Sequence, residues 1–464
     1  MQLPNPLKTP AFLQKLQWVA DPVKYLESAA RQYPDIFTAE IIGFGDTIVF
    51  VSHPQAIQKI FANENNQFAA SGEMNRTLQP LIGDSSLIML DGDHHKKRRQ
   101  LLMPQFHGDR MRAYGDLICN LTEKVLSQLS IDKSFTAHTT MKEISLQVIL
   151  EAVFGLYEGE RCQKLKYLLP KFLSNVFESP LVSSFLFFPW LQKDLGSWSP
   201  WGKFLRDRQE IDQLIYSEIA ERRSQLDVER KDILSLLMST QDEAGNYMTD
   251  SELRDELITL MIGGYETTAA STAWALYWIH HKAEVREKLL QELDTLGDSP
   301  DPMSIFRLPY LTAVCNETLR MASVTIFTLP RVVKAPVELM GHSLESGTVV
   351  TAATYLVHHR EDIYPESQEF KPDRFLDRQF SSSEFIPFGG GVRGCIGRAL
   401  AMFEMKLVLA TILLNYQLAL TDSRPEKTQR KGTNLAPANG VKMIIKKRRV
   451  HQKSSVSMGT KSAS

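Results

Sequence analysis

The 464-residue chain has few cysteines and almost no net charge: four cysteines (Cys119, Cys162, Cys315 and Cys395) and a formal charge of −1 at pH 7. The cysteines stand far apart without CxxC or other zinc-type spacing, which disfavours a disulfide framework and a zinc site and points to a reducing compartment. Balanced charge argues against general nucleic-acid binding. Residues 1–10 lack the apolar run of a signal peptide and the ~20 apolar residues of a membrane anchor, so a soluble, cytoplasmic protein without a transmembrane anchor is expected. Length alone, at about 100–200 residues per domain, would give two or three domains. No internal repeat and no Gly/Ser linker divides the chain, which favours one.

The composition is globular, 43% hydrophobic and 23% charged. Such a chain can bury a large core and enclose a non-protein group. Residues 36–50 mix β-branched and aromatic side chains around Gly43-Phe44-Gly45-Asp46 and predict a β-hairpin. Runs such as 115–129, 203–223 and 284–296 place apolar residues at three- and four-residue spacing beside charged faces, so most of 56–319 is predicted helical. Short strands are predicted near 331–351 and 416–445. The class is therefore mainly α with a minor β part, a single α+β domain over residues 1–445. Residues 446–464, basic and small polar without apolar period, read as a disordered tail.

Phe388-Gly389-Gly390-Gly391-Val392-Arg393-Gly394-Cys395-Ile396-Gly397 carries five glycines in ten residues ahead of a helical run at 398–413. Glycine lets backbone approach a ligand closely. Here it delivers a cysteine to a helix start, where N–H groups and the helix dipole favour a thiolate. Soft thiolates suit haem iron; a lone cysteine beside a tight turn can equally be buried and inert. The stretch resembles the FxxGxRxCxG motif of the cytochrome P450 superfamily at Phe388, Gly391, Arg393, Cys395 and Gly397. That resemblance implies the P450 fold in a single haem domain, haem b as cofactor and O2 as co-substrate. It also implies Cys395 as the iron ligand, Phe388 packed by the sulfur and Arg393 on a haem propionate.

A second constellation spans residues 249–281. Thr249 and Glu252 have capping-box spacing, and His280, His281 and Lys282 suit a helix C-terminus. Between them Gly263 and Gly264 cost roughly 1 kcal/mol each against alanine, and Thr267 and Thr268 add β-branching. Close helix packing would explain the glycines. A carboxylate beside a hydroxyl in an apolar helix, however, is costly unless bonded or used. Residues 263–268 resemble the family's [AG]-G-x-[DE]-T-[TS] motif, which implies that Glu266 and Thr267 deliver protons during oxygen activation. The pair favours O2-dependent monooxygenation over its rivals, a haem-thiolate isomerase or peroxygenase and a non-enzymatic haem sensor.

Glu317 and Arg320 stand at i and i+3, a pairing worth only about 0.2–0.5 kcal/mol when exposed. Residues 370–375 resemble the family's F-x-P-E-R-F segment with Asp373 in the glutamate place, implying a buried structural network of Glu317, Arg320 and Arg374. Residues 92–99 resemble its W-x-x-x-R helix, with His95 in the tryptophan place and Arg99 as the arginine. A run such as Lys96–Arg99 is ordinarily a solvated face, but haem carboxylates need partners. The implied set is His95, Arg99, Arg331 and Arg393, with other basic residues there facing an acidic electron donor. By the same resemblance the substrate pocket takes residues 67–89, Leu260, Gly264, Ile326, Phe327 and Leu329, whose apolar character implies a lipophilic substrate, a fatty acid or terpenoid foremost. The aromatic run at 181–190 is either core or a membrane-grazing entrance. No flavin-binding region follows, so electrons are expected from a ferredoxin and its reductase, and the enzyme is expected to be a monomer that hydroxylates or epoxidises its substrate.

Overall fold

A computed structural model describes residues 3–449 apart from 44, 65, 71, 107, 108, 226–229, 298, 299 and 433. The hairpin forms as its β-branched run predicts: Ile36–Glu40 and Thr47–Val51 pair antiparallel, from Ile36 opposite Val51 to Glu40 opposite Thr47. Val349–Ala352 joins parallel, then Arg331–Val333 and Phe68–Ala69 antiparallel, completing a five-stranded sheet. The rest is chiefly helix. The longest, Asp250–His281, is buried on nearly all sides and packs along Ala137–Ala152. Its start is fixed by a reciprocal cap, Glu252 N donating to Thr249 Oγ1 at 3.2 Å and Thr249 N to Glu252 Oε2 at 2.8 Å.

Arg398–Asn415 begins three residues after Cys395 and is unbrokenly buried from Phe403 to Leu413, which anchors the cysteine loop to the core. The chain then forms a sheet with Ser134–Thr136, in which Lys442–Arg448 is the central strand. The disordered tail expected from Lys446 onward therefore starts too early. Arg448 pairs with Tyr416, and Arg449 N bonds Asn415 O at 2.7 Å. Met443 and Ile445 are buried while Lys446, Lys447 and Arg448 face solvent; an antiparallel strand needs only one apolar face, and basic side chains cover the other. The remainder of that tail, 450–464, lies outside the described residues.

The Glu317, Arg320 and Arg374 side chains meet. Arg320 Nε donates to Glu317 Oε2 at 2.7 Å and Arg374 Nε to Oε1 at 3.1 Å, with Glu317 and Arg320 fully buried. Lys371 N adds a third donor to Oε1 at 2.8 Å. Arg320 also donates to the carbonyls of His358 and Ser367 at 2.7 and 2.8 Å, so one guanidinium ties three segments together. Removing one partner of a buried network strands the others at a cost of about 3–5 kcal/mol. Glu317→Ala is therefore expected to melt well below wild type and to yield little haem-loaded protein, as read by thermal denaturation and haem content of the purified variant.

Candidate active site

The glycine-rich loop closes on itself before the helix begins. Cys395 N donates to Phe388 O at 2.9 Å and Gly394 N to Gly391 O at 3.1 Å. Gly391 needs to be glycine twice over: its φ is +63°, and a Cβ there would lie 2.3 Å from the Glu64 carboxylate. Cys395 keeps accessible surface although its thiol is closely surrounded by protein, so the residue borders an internal hollow. Burial pushes the thiol up, while the N–H groups of Gly397 and Arg398 and the charge of Arg99 pull it back.

The second wall comes from Asp250–His281. Its accessible residues are Thr259, Leu260, Ile262, Gly263, Gly264 and Thr267 in the middle of an otherwise buried stretch. Three- and four-residue spacing puts 260, 263 and 267 on one face. Leu260 and, beside the cysteine, Ile396 and Leu400 pack on one apolar cluster. A Cβ at Gly263 would meet nothing within 4 Å, whereas one at Gly264 would press on Ile149 Cδ1 at 3.1 Å. Of the two glycines it is Gly263 that opens the hollow; the Gly264 expected there instead admits Ala137–Ala152. One residue is about 100° of helix, which accounts for the split.

Four polar side chains converge at the edge of this hollow. Burial first, and then the charges of Arg393, Arg99 and Arg331, lower the pKa of His95 to about 4, so the ring is neutral at pH 7. Arg99 Nη1 donates to Gly394 O at 2.8 Å. Arg331 Nε bonds Glu64 Oε1 at 2.5 Å, and Arg393 reaches Asp91 at 3.0 Å and Leu87 O at 2.9 Å. The sequence thus named four residues that do come together, but not the carboxylate among them.

The sequence matches the Cytochrome P450 family over residues 3–445. This chain is a cytochrome P450. It is 34% identical over 452 residues to cytochrome P450 135B1 of Mycobacterium tuberculosis, covering 96% of this chain and 92% of that one. Cytochrome P450 135A1 of the same species is 31% identical over 452 residues, covering 97% and 96%. Among solved structures, the retinoic acid-bound cyanobacterial CYP120A1 superposes with a TM-score of 0.82 at 20% identity, covering 94% of this chain and 96% of that one. The haem domain of cytochrome P450DA gives 0.82 at 22% identity, covering 96% and 98%. The protein is accordingly a haem-thiolate monooxygenase that binds haem b and uses O2. The residues present fit that group: an accessible sulfur backed by two N–H donors, open space at Gly263, and three guanidiniums at one edge.

The acid and the alcohol of this P450 do not touch each other. Thr267 Oγ1 donates to Gly263 O at 2.5 Å, within its own helix. Glu266 turns the other way, 2.7 Å from Lys142 Nζ and 3.0 Å from His138 Nε2; Lys142 in turn holds Glu178 at 2.9 Å. The Glu178 side chain is 37% exposed, so charged groups run from Glu266 to the surface. Sequence reading missed His138, Lys142 and Glu178. The available sign was polar residues at 138, 142 and 147 in a helix whose remaining residues are largely buried.

Three further expectations change. Arg98, assigned to a solvated face, is buried and donates to Glu256 Oε1 and Ser85 O at 3.0 Å each, and to Glu252. Ile326 and Phe327 pack with Trp18, Phe37 and Phe50 rather than with the Leu260 stripe, because the chain bends over residues 324–327 and turns both toward that cluster. Thr328 is the residue near Gly389, while Leu329 is half-buried. In the aromatic run Phe185 and Leu186 are buried but Trp190 is 70% exposed. Among the described residues no helix is long and apolar enough to cross a membrane.

Burial opposes ionisation of Glu266, yet the contacts with His138 and Lys142 prevail and hold its pKa below the usual carboxylate value. A lowered folded-state pKa gives stability that is present above the unfolded value and is lost as pH falls through the folded one. The melting-temperature gap between wild type and Glu266→Gln should thus be widest near neutrality and narrow as pH drops below the ordinary carboxylate range. A gap independent of pH would show that the carboxylate is not held ionised.

Proposed function

We propose that this P450 hydroxylates or epoxidises a lipophilic substrate, a long-chain fatty acid or terpenoid, with Cys395 as the thiolate that holds the iron. The observations that carry the reading are an accessible Cys395 whose sulfur is met by two backbone N–H groups, and an accessible Leu260–Gly263–Thr267 stripe in the otherwise buried long helix. Haem b, when bound, supplies the one-electron chemistry and the activation of O2. Everything else falls to the chain. Phe388, Gly391 and Gly397 shape the loop around the sulfur. His95, Arg99, Arg331 and Arg393 pair the carboxylates of the cofactor; the neutral His95 does so as a hydrogen-bond donor rather than as a charge.

Glu266 and Thr267 hold and pass protons, the hydroxyl from the wall of the hollow and the carboxylate from the Lys142 side. Leu260 lines the substrate space, and its apolar character supports a lipophilic occupant. Glu317, Arg320 and Arg374 are structural. We place the chain through Arg449 in one soluble, monomeric haem domain in the cytoplasm. Ferredoxin and its reductase deliver electrons to the basic face that includes Lys96 and Lys97. The exposed Trp190, at the end of the aromatic run, supports a peripheral lipid contact near the entrance.

Reduced protein under carbon monoxide is expected to show the long-wavelength Soret band of thiolate-bound haem, and Cys395→Ser to lose it. A spectral binding screen of fatty acids and terpenoids, followed by turnover with O2, NADPH, ferredoxin and reductase, names the product. Turnover with peroxide alone, or tight ligand binding with no product, would turn the assignment to a peroxygenase or a sensor. Thr267→Ala should bind haem and substrate normally but convert about a hundredfold less of its consumed NADPH into product, the lower end of the roughly 10²–10⁴-fold scale of proton-transfer contributions. Unchanged coupling would remove Thr267 from proton delivery.

A further inference from the structure

The cation cluster contains a carboxylate that the reading above has no use for. Glu64 is 7% exposed, and its carboxyl-bearing side chain 1%. One oxygen takes Arg331 Nε at 2.5 Å; the other takes the backbone N–H of Val392, three residues before Cys395. It is not there by the accident of a flexible side chain. Glu64 forms a bridge with Phe68, whose strand pairs with the strand of Arg331, so carboxylate and guanidinium are fixed to one sheet edge. Gly391 and Gly390 leave the room it needs: a Cβ on the first would overlap the Glu64 carboxylate, and one on the second the Phe61 ring. The Phe61 ring in turn lies 5.9 Å from the Arg331 guanidinium.

Charge balance makes the residue consequential. With His95 neutral, three guanidiniums face this edge, those of Arg99, Arg331 and Arg393. Asp91 already engages Arg393, and Arg393 spends further donors on the carbonyls of Leu87 and Ile88 at 2.9 and 3.4 Å. Glu64 engages Arg331 and lies within electrostatic reach of Arg99 and Arg393. A cofactor with two carboxylates therefore meets cations that are partly neutralised beforehand. A buried carboxylate in a low-dielectric site acts over several ångströms and is weakly screened.

We propose that Glu64 is a positioning residue of the haem site: it clamps Arg331 to the cysteine loop and keeps a negative charge beside the cofactor edge, which favours the ferric over the ferrous state. The proposal rests on Cys395 as iron ligand, and the two stand or fall by different measurements. Glu64→Gln keeps an oxygen for Val392 N–H and removes the charge together with the oxygen that accepts from Arg331 Nε. In the holoprotein this variant should retain the thiolate Soret band under carbon monoxide and shift the ferric/ferrous midpoint potential in the positive direction. It should also lose haem more slowly to apomyoglobin, because Arg331 is freed for the cofactor. A plain structural strut predicts the opposite, an unmoved potential and faster haem loss.

Glu64→Asp retains the charge at a greater distance and should fall between wild type and Glu64→Gln in potential; if Glu64→Gln gives no holoprotein, a positive shift in Glu64→Asp alone carries the test. An unmoved or more negative potential in either variant with the thiolate band intact overturns the role of Glu64. Absence of the thiolate band in wild type overturns the ligand assignment instead.

Discussion

The buried Glu317 carboxylate is the constraint on which the cysteine side of the molecule depends. It accepts from Arg320, Arg374 and Lys371 N, and a carboxylate so deeply buried is tolerable only when every oxygen is used. Arg320 carries the constraint onward to His358 O, and the His358 ring lies 3.0 Å from Ser323 Oγ while its Nε2 accepts from Ile386 N at 2.9 Å. Burial first, then neighbouring His359 and Arg320, hold His358 well below the usual histidine range, as an acceptor of a backbone N–H must be. Ile386 is two residues from Phe388, whose carbonyl receives Cys395 N. Hydrogen bonds joined by a short stretch of backbone thus run from a buried ion pair to the cysteine loop, and the glycines of the loop can be flexible in kind yet fixed in place.

The helix Asp250–His281 resolves a conflict that its sequence poses. An acid next to an alcohol looks like a unit, but neighbouring residues on a helix point about 100° apart. Thr267 consequently shares a face with Gly263 and Leu260, while Glu266 meets Lys142 and His138 on the flank packed against Ala137–Ala152. Separate surroundings let the two groups hold different protonation states: a hydroxyl satisfied by Gly263 O and a carboxylate kept ionised. The glycine pair divides in the same way, Gly263 leaving space and Gly264 admitting Ile149.

Local features were the legible ones. The hairpin, the reciprocal Thr249–Glu252 cap, the glycine loop feeding a helix and the Glu317–Arg320 pair each depend on residues close in the chain, and each is found as read. Contacts across the fold leave no period behind. Glu64 touches Val392 over 328 positions, and nothing around Glu64 distinguishes it from a surface acid. Gly263 could not be told from Gly264 by helical phase, since each stands three and four residues from Leu260 and Thr267; only the approach of Ile149, distant in the chain, separates them. Ile326 and Phe327 were no more legible, because the bend that turns both onto Trp18 and Phe50 leaves no period in the sequence. Lys446–Arg448 show the reverse error, where charge alone was taken as absence of structure although Met443 and Ile445 already alternate inward.

The helix Gly92–Leu102 joins the two walls because adjacent arginines leave it in different directions. Arg98 is drawn to Glu252 and Glu256 on the long helix, and Arg99 to Gly394 O on the cysteine loop. Burial still pushes Glu256 up to about 7 against the pull of Arg98, because desolvation of the carboxylate outweighs the neighbouring charge. Arg98 also takes Ser85 O, and Asp255 takes Ser85 N at 2.9 Å, which fastens the segment carrying Leu87 and Ile88 to the same helix. Those two carbonyls are acceptors of Arg393. The separation between sulfur and oxygen-side helix is therefore set by side chains of fixed length anchored at both ends, so a change at Arg98, remote from both Cys395 and Thr267 in the chain, would alter the space between them.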